Sequence, residues 1–351
     1  MSRFLLLLIS SFALASPGRA QEEPKGEPAK PLEIVRLVTI SNEAPHSAFT
    51  DLVRWQGELW CAFREASSHV PGSGGSDGVI HVIHSDDGTD WQSEPRLAIE
   101  GLDLRDPKLS VMPDGRLMLL MGGSRYVDGK FVDRLCRVSF RRPAGDAFTE
   151  PVPIEVDAKI RTPEDWLWRV TWRGEVGYGV IYRAVSDGEW KCHLVATRDG
   201  IRYWPITEWD MAGGPTEATL RFLPDDRMAA ILRRDGGDRR GWLGESDPPY
   251  RKWTWKELPI RLGGPDMVRL PSGDWLIGSR DYETKGNRTA LYRVTSKGEV
   301  ERLLELPSRG DTSYPGMVLE EGRLSMSYYA SHEGKSAVYF AEIRGDLLEG
   351  K

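Results

Sequence analysis

The chain has 351 residues, of which 40% are hydrophobic and 28% are charged, a composition typical of globular proteins. Its formal net charge is −6 and it has no run of lysine or arginine, so no nucleic-acid-binding surface is expected. The cysteines are too few for a disulfide framework, and each stands in a strand-like run. We therefore expect buried, unpaired thiols at Cys61, Cys136 and Cys192.

Residues 1–20 have a short basic start, an apolar stretch and small residues at two possible cleavage positions. This pattern is typical of a secretory signal peptide, and its apolar part is too short for a transmembrane helix. Residues 21–31 are rich in proline and charge, which predicts a flexible linker. We therefore expect a mature chain that is secreted or periplasmic and does not insert into the membrane.

From residue 32 to 351, short runs of Val, Leu, Trp, Tyr and Phe alternate with Gly, Asp and Pro turns, which predicts an all-β domain. One strand–turn–strand pattern occurs six times, at intervals of 58, 59, 52, 47 and 49 residues. Glycine suits a turn that needs positive φ, and aspartate is a tolerated substitute. The six turn positions are Gly57, Gly115, Gly174, Asp226, Gly273 and Gly322.

Six such units, each with about four short strands, predict a six-bladed β-propeller of four-stranded antiparallel blades. The last unit has sequence for three strands, at 314–320, 323–330 and 336–344. We therefore expect the early strand at 32–40 to complete the last blade and close the ring.

A second pattern, S/T-x-D-x-G-x-x-W, occurs in imperfect copies at 85–91, 197–204 and 246–253. Hydroxyl and carboxylate side chains fix a turn, glycine supplies a left-handed residue, and tryptophan packs beneath it. We interpret these copies as structural turns rather than metal sites.

Counting from the repeated turn places equivalent positions of different blades on one face of the propeller. The position seven residues after the turn holds three arginines and a tyrosine: Arg64, Arg233, Arg280 and Tyr329. Positions eight or nine residues before the turn hold Asp106, Asp165, Glu217 and Tyr314. Arginine forks bind carboxylates in a bidentate manner, so this face is expected to bind an anionic ligand. The alternative is that each arginine pairs with a neighbouring acid, such as Glu65, Asp235 or Asp281.

The chain resembles the sialidase (neuraminidase) superfamily over nearly all of residues 32–345. The resemblance is carried by SDDGTDW and TRDGIRYW, by PTEATL, by ILRR and IGSR, and by TSYPGMV. It implies that Tyr314 is a nucleophile activated by Glu217, and that Arg233 and Arg280 clamp the substrate carboxylate. Sialic acid carries its carboxylate on the anomeric carbon, so a neutral nucleophile avoids repulsion between like charges.

The resemblance implies a clamp of three arginines, and one of the three has no direct match in this sequence. The family usually opens its first blade with an Arg-Ile-Pro motif, whereas residues 46–51 contain no arginine. We expect Arg64 or Arg105 to take its place. Asp51 and Asp106 are further candidates for contact with the substrate.

The acid/base residue of the family is expected in the loop SSHVPGSGGSDG, at 67–78. Asp77 is the chemically usual choice for this role. His69 is the alternative, because a histidine can transfer protons near neutral pH. The sequence leaves the choice between these two residues open.

Three functions are compatible with these residues. The first is a secreted, retaining exo-glycosidase that releases terminal sialic acid, or a related 2-keto acid sugar, from glycoconjugates. The second is a uronic-acid polysaccharide lyase that uses the arginines to neutralise its substrate and the tyrosine for proton transfer. The third is a propeller that binds sialosides without turnover. In each case the partner is a carbohydrate with a carboxylate, and no motif requires a metal ion or an organic cofactor.

Overall fold

The computed structural model describes residues 31–70, 78–145, 147–184, 190–282 and 285–350. The predicted signal peptide, almost all of the predicted linker and Asp77 lie outside these ranges. The described residues form six sheets arranged as a six-bladed β-propeller, as the repeats predict. Within them, the only helix is the single turn α1 (Asp346–Glu349), and no helix is long and apolar enough to span a bilayer.

The strands follow one another blade by blade along the chain. The first strand and blades 1 to 3 comprise β1 (Glu33–Ser41); β2 (His46–Trp55), β3 (Glu58–Ala66), β4 (Val79–Ser85) and β5 (Gln92–Ser93); β6 (Asp103–Val111), β7 (Leu117–Val127), β8 (Lys130–Arg134), β9 (Arg137–Arg141) and β10 (Val152–Pro153); and β11 (Glu155–Val156), β12 (Trp166–Arg173), β13 (Val176–Ala184), β14 (Trp190–Thr197) and β15 (Arg202–Glu208).

Blades 4 to 6 continue with β16 (Pro215–Phe222), β17 (Met228–Arg234), β18 (Arg240–Ser246) and β19 (Thr254–Arg261); β20 (Asp266–Arg269), β21 (Trp275–Asp281), β22 (Arg288–Val294) and β23 (Val300–Leu306); and β24 (Thr312–Glu320), β25 (Arg323–Ala330) and β26 (Ala337–Arg344). In the last blade, β1 pairs antiparallel with β26 as the outer strand. The predicted closure of the ring is confirmed. Blades 2 and 3 each carry one short extra strand, β8 and β11.

The repeated turns have the backbone conformation that the sequence predicts. All six turn positions adopt positive φ, between 52° at Gly174 and 91° at Gly273, and Asp226 has a φ of 66°. The imperfect motif copies form local turns: the N–H of Gly88 donates to Ser85 Oγ at 2.9 Å. The three cysteines are buried and unpaired, as predicted.

Buried carboxylates tie the inner strands of different blades together around the propeller axis. Asp51 of blade 1 accepts from the N–H of Leu109 at 2.7 Å and from Arg169 Nη1 at 2.8 Å. Asp266 of blade 5 accepts from Arg221 Nη2 at 2.6 Å. Because each of these carboxylates is paired and hydrogen-bonded, its burial is compensated. These contacts fix the inner strands in register beneath the face of the propeller that carries Glu217 and Tyr314.

Five of the inner strands contain a β-bulge close to their first residues. The register shifts lie between Ala48/Asp51, Arg105/Lys108, Leu167/Val170, Pro215/Ala218 and Ser313/Gly316. A bulge inserts one residue and re-aims a side chain relative to the regular alternation. The shifts enclose five residues that meet on one face of the ring: Phe49, Asp106, Trp168, Glu217 and Tyr314.

Candidate active site

Two glycines and a left-handed backbone fix the position of Tyr314. Ser313 and Tyr314 have φ values of 101° and 51°, a conformation that a tyrosine adopts only where its surroundings impose it. The ring lies against Gly264, where a Cβ would stand 2.5 Å from it. Gly316 lets the backbone of blade 1 approach, because a Cβ there would stand 1.9 Å from Leu52 N. Side chains at either glycine would displace the tyrosine.

Aromatic rings surround the rest of the Tyr314 side chain. The ring centroids of Phe49, Trp168 and Tyr329 lie 5.3, 5.7 and 6.0 Å from that of Tyr314. These separations are in the range of favourable aromatic contacts. The phenol is therefore held by packing as well as by hydrogen bonds.

The phenol oxygen of Tyr314 belongs to a compact group with Glu217 and Arg233. Tyr314 Oη donates to Glu217 Oε1 at 2.6 Å, and Arg233 Nη1 lies 3.0 Å from Tyr314 Oη. Arg233 Nη1 also donates to both carboxylate oxygens of Glu217 at 2.9 Å, and the N–H of Gly264 donates to Oε2 at 2.7 Å. The structure therefore brings together the three residues that the resemblance assigns to the nucleophile, its base and one clamp arginine.

The protonation states of this pair follow from its surroundings. Burial opposes ionisation of Glu217, but the charge of Arg233 and the hydrogen bonds from Tyr314 and Gly264 outweigh it and hold the pKa of Glu217 below its ordinary value. Burial, reinforced by the negative charge of Glu217, raises the pKa of Tyr314 well above its ordinary value. The resting site is thus a neutral phenol that donates to a carboxylate.

Arg280 lies beside Tyr314 on the blade 5 side. Its Nε donates to the carbonyl oxygen of Thr312 at 2.8 Å, and its Nη2 donates to Tyr329 Oη at 3.1 Å and to Asp311 Oδ1 at 3.2 Å. The guanidinium carbon is 5.8 Å from the centroid of the Tyr314 ring. Among the described residues, nothing accepts a hydrogen bond from Nη1, which leaves that end of the fork available to an anion.

Arg105 and Asp106 form the opposite wall of the site. Arg105 Nε lies 3.5 Å from Asp106 Oδ2, and its guanidinium carbon lies 5.1 Å from the centroid of the Phe49 ring. Burial raises the pKa of the Asp106 carboxyl, against the opposing charges of Arg105 and Lys108. Of the two arginines predicted to replace the missing one, Arg105 is the one that lies at the site.

Arg64 and Asp51 lie beneath the site, which differs from their predicted contact with the substrate. The Arg64 side chain has 0% exposure, and its Nε and Nη2 donate to Asp103 Oδ1 at 2.9 and 2.7 Å. Asp51 is equally buried and is occupied by its contacts with Leu109 and Arg169. A ligand on the face of the propeller would have to break these pairs to reach either residue.

His69 stands at the rim of the site, where Asp311 fixes its ring. His69 Nδ1 lies 2.7 Å from Asp311 Oδ2, the His69 side chain is 51% exposed, and its ring centroid is 5.1 Å from that of Phe49. Burial opposes ionisation of Asp311, but hydrogen bonds from His46 and His69 outweigh it and hold its pKa well below its ordinary value. An ionised carboxylate only accepts, so His69 Nδ1 is the donor and Nε2 is left for proton transfer.

The same cluster has the spacing of a metal site. Ligand atoms of His46, His69 and Asp311 all lie within 4.8 Å of one another. However, Asp311 also accepts from Tyr329 Oη at 2.7 Å and from Arg280, whose positive charge would oppose a cation. The buried Nδ1 of His46 has no partner, whereas metal-binding histidines usually anchor their second nitrogen. We interpret the cluster as a hydrogen-bonded network that orients His69.

Each of the three register-matched arginines pairs with an acid, and Arg233 does so with the neighbour that the sequence suggested. Asp235 accepts from Arg233 Nε at 3.0 Å. Glu65 contacts His81 and Arg96, and Asp281 contacts Arg302. Arg64 and Arg280 pair with Asp103 and Asp311. The predicted Asp165 lies before β12, where it accepts from Thr162, and Trp168 takes its place in the bulge.

The sequence interpretation missed Asp311, Phe49 and Gly264. Phe49 stands eight residues before the turn at Gly57, the spacing of Tyr314 from Gly322, so the same count would have found it. Asp311 lies three residues before Tyr314, directly before the stretch TSYPGMV. Nothing in the local pattern marks it as the partner of two histidines from the first blade.

The fold and the geometry of its site define a sialidase-like six-bladed β-propeller, and the resemblance predicted from the sequence is confirmed at the level of the fold. A protein of unknown function from Dyadobacter fermentans DSM 18053 matches with a TM-score of 0.75 and 19% identity, over 89% of this chain and 99% of that one. Trypanosoma rangeli sialidase matches with a TM-score of 0.66 and 13% identity, over 85% of this chain and 55% of that one.

The NanB sialidase from Streptococcus pneumoniae matches with a TM-score of 0.64 and 10% identity, over 90% of this chain and 70% of that one. This chain spans slightly more than half the length of the trypanosomal enzyme. No family model and no curated protein matches the sequence. At these identities the comparisons show the fold, and the activity has to be argued from the site.

Proposed function

We propose that this chain is a retaining exo-glycosidase that hydrolyses a terminal sialic acid, or a related 2-keto acid sugar, from glycoconjugates. The observation that carries the proposal is the group in which Tyr314 donates to Glu217 while both contact Arg233. A phenol paired with an ionised carboxylate is an activated nucleophile. The choice of sugar is supported by similar Trypanosoma rangeli sialidase structures, one in complex with sialic acid and another described as a covalent intermediate with 2,3-difluorosialic acid.

In the first step, Tyr314 Oη forms a bond to the anomeric carbon and the bond to the leaving oxygen breaks. The phenol proton passes to Glu217, which lies 2.6 Å away. Transfer to the carboxylate avoids a free phenolate, which burial makes costly. In the second step, water attacks the anomeric carbon, the bond to Oη breaks, and Tyr314 recovers its proton from Glu217. Two displacements at one carbon give retention of configuration.

The substrate carboxylate is assigned to the space between Arg280 and Arg105. Within the described part of the chain, Arg280 Nη1 and Arg105 Nη2 have no acceptor, so each can donate to a ligand oxygen. Arg233 is already committed to Glu217, Tyr314 and Asp235, so its main role is to hold the nucleophile and its base. Fixing the carboxylate on the anomeric carbon also orients that carbon toward the tyrosine.

We assign the acid/base role to His69, with Asp77 as the alternative. Asp311 anchors His69 Nδ1 at 2.7 Å, the arrangement that orients an imidazole for proton transfer through Nε2. His69 would protonate the leaving oxygen in the first step and take a proton from water in the second. Its position at the rim suits contact with a leaving group that projects out of the site.

The assignment of His69 predicts a dependence on the leaving group. His69→Ala is expected to lower kcat/KM for a lactose-linked sialoside by on the order of 10²–10⁴-fold, the usual contribution of an acid catalyst. A nitrophenyl sialoside should lose far less activity, because its leaving group departs without protonation. A merely structural role for His69 would reduce both rates equally. Asp77→Ala is the matched comparison: if that variant alone shows the leaving-group dependence, the assignment of His69 is wrong.

The proposal as a whole is tested on the purified mature protein with a panel of fluorogenic sialosides, with product configuration followed by NMR. We expect release of the sugar as the α-anomer before mutarotation, because an α-sialoside is cleaved with retention. An unsaturated product that absorbs in the ultraviolet would instead identify a lyase. Binding of sialosides without any release would identify a non-catalytic propeller.

A further inference from the structure

A second charged cleft lies on the same face of the propeller, outward from the active site. It has a volume of about 470 Å³ and is formed by the end of β7, the segment 133–137 and the loop that leads to blade 3. Five charged side chains line it, four of them arginines: Arg125, Arg134, Arg137, Arg161 and Asp133. Nothing in the proposed hydrolysis uses this cleft.

The positive charge of the cleft is only partly neutralised. Asp133 is engaged by Arg125, which donates to both of its carboxylate oxygens. In the described part of the chain, Arg134, Arg137 and Arg161 have no carboxylate partner. The Nε atoms of Arg134 and Arg137 are buried and donate to no acceptor. The positive charge of Arg134, Arg137 and Arg161 is therefore available to an anion that enters the cleft.

Arg134 and Arg137 are held in place before any ligand arrives. The guanidinium carbon of Arg134 lies 4.8 Å from the centroid of the Phe131 ring and 5.3 Å from that of Trp166. Gly123 leaves room for Arg137, because a Cβ at that glycine would lie 3.2 Å from Arg137 Nε. Pre-positioned forks lose little freedom on binding an anion, which favours a specific site over a diffuse charged surface.

Arg134 also connects the cleft to the active site. It lines a cavity of about 200 Å³ together with Arg105, Asp106, Tyr126 and Tyr182. A glycan held at the tyrosine can therefore extend through this cavity toward the cleft. Its second negative group would meet the free guanidinium groups.

We propose that this cleft binds an oxyanion, a sulfate ester or a carboxylate, on the glycan that the central site recognises. Guanidinium forks match the geometry of both groups, and among the described residues no carboxylate competes for Arg134, Arg137 or Arg161. The binding of the oxyanion needs no turnover, so the proposal holds or fails independently of the hydrolytic activity. For an active enzyme, it makes doubly acidic glycans the preferred substrates.

The test uses three fluorescent disaccharides: one with a single sulfate ester, one with a single carboxylate, and their uncharged parent. Each is titrated into the full mature chain at constant ionic strength and followed by fluorescence polarisation. We expect at least one anionic probe to bind tenfold or more tightly than the parent. The anionic probe that binds more tightly shows whether the cleft prefers a sulfate ester or a carboxylate. The double variant Arg137→Gln/Arg161→Gln should reduce its affinity to that of the parent.

Two control variants locate the binding. Arg142→Gln removes an exposed charge just beyond the far end of β9 and should change the affinity by less than twofold. Arg280→Gln removes a charge from the central site, so a loss of affinity that appears only in this variant would place the binding at the central site. Equal binding of the parent, equal losses in Arg142→Gln, or a loss confined to Arg280→Gln would each overturn the proposal. Circular dichroism of every variant confirms that the fold is retained.

Discussion

Tyr314→Phe is expected to reduce turnover of a sialoside by on the order of 10³-fold or more, the scale of losing a nucleophile that acts in concert with its base. The substitution removes the Oη atom and keeps the ring. The contacts with Phe49, Trp168 and Gly264 therefore persist. Glu217 remains paired with Arg233, so the unfolding midpoint should change little. The measurement is kcat on a fluorogenic sialoside, together with a thermal unfolding curve.

A matched control separates the role of Tyr314 Oη from the general effect of losing a tyrosine hydroxyl. Tyr328 is a buried tyrosine of β25 whose Oη donates to the carbonyl oxygen of Pro307 at 2.9 Å. Tyr328→Phe makes the same chemical change outside the site. It should keep kcat within about twofold, because the Tyr328 hydroxyl takes no part in the reaction. Release of sialic acid by Tyr314→Phe at the rate of the unmodified protein would refute the nucleophile assignment.

The architecture could be predicted from the sequence because a propeller repeats one local unit. Each unit has a turn that needs positive φ, and such turns leave a readable trace in glycine and aspartate. The spacing of those turns gave the number of blades, and the missing fourth strand of the last unit indicated closure by β1. Counting residues from each turn then placed Tyr314, Glu217 and Arg233 on one face, where the structure has them in contact.

The arginines show what counting residues from the turn cannot predict. Arg64 and Arg280 occupy the same position after their turns, yet one is buried and the other faces the site. Both arginines pair with an acid of the next blade, Arg64 with Asp103 and Arg280 with Asp311. The difference is that Asp103 accepts from both Nε and Nη2 of a fully buried Arg64, whereas Nη1 of Arg280 has no acceptor among the described residues. A count within one blade cannot reveal a partner that is 39 residues away along the chain. The position of a residue in its strand determines the direction of its side chain. The pairing of charges across blades determines how much of each guanidinium is left for a ligand.

The bulges set a second limit. A bulge adds one residue to a strand, so the residue that faces the axis lies at a different distance from the turn in each blade. Tyr314 stands eight residues before its turn, Glu217 nine and Trp168 six. The fixed count therefore selected Asp165 in blade 3, whereas the structure has Trp168 in that bulge. Aspartate in place of an aromatic ring there would have given a more acidic site than the one observed.

Asp103→Ala is expected to lower the free energy of unfolding by about 3–5 kcal/mol, the usual result of breaking a buried ion pair by removing one partner. It leaves the guanidinium of Arg64 buried without its carboxylate partner, with only the carbonyl oxygen of Ser68 accepting from Nη1. The N–H of Gly78, which donates to the same Asp103 oxygen at 2.8 Å, also loses its acceptor. The measurement is the midpoint and slope of urea unfolding. Asp133→Ala removes the partner of an exposed pair and should cost about 1 kcal/mol or less. Equal losses in the two variants would show that Arg64 has water or another partner available, and would return it to the candidates for substrate contact.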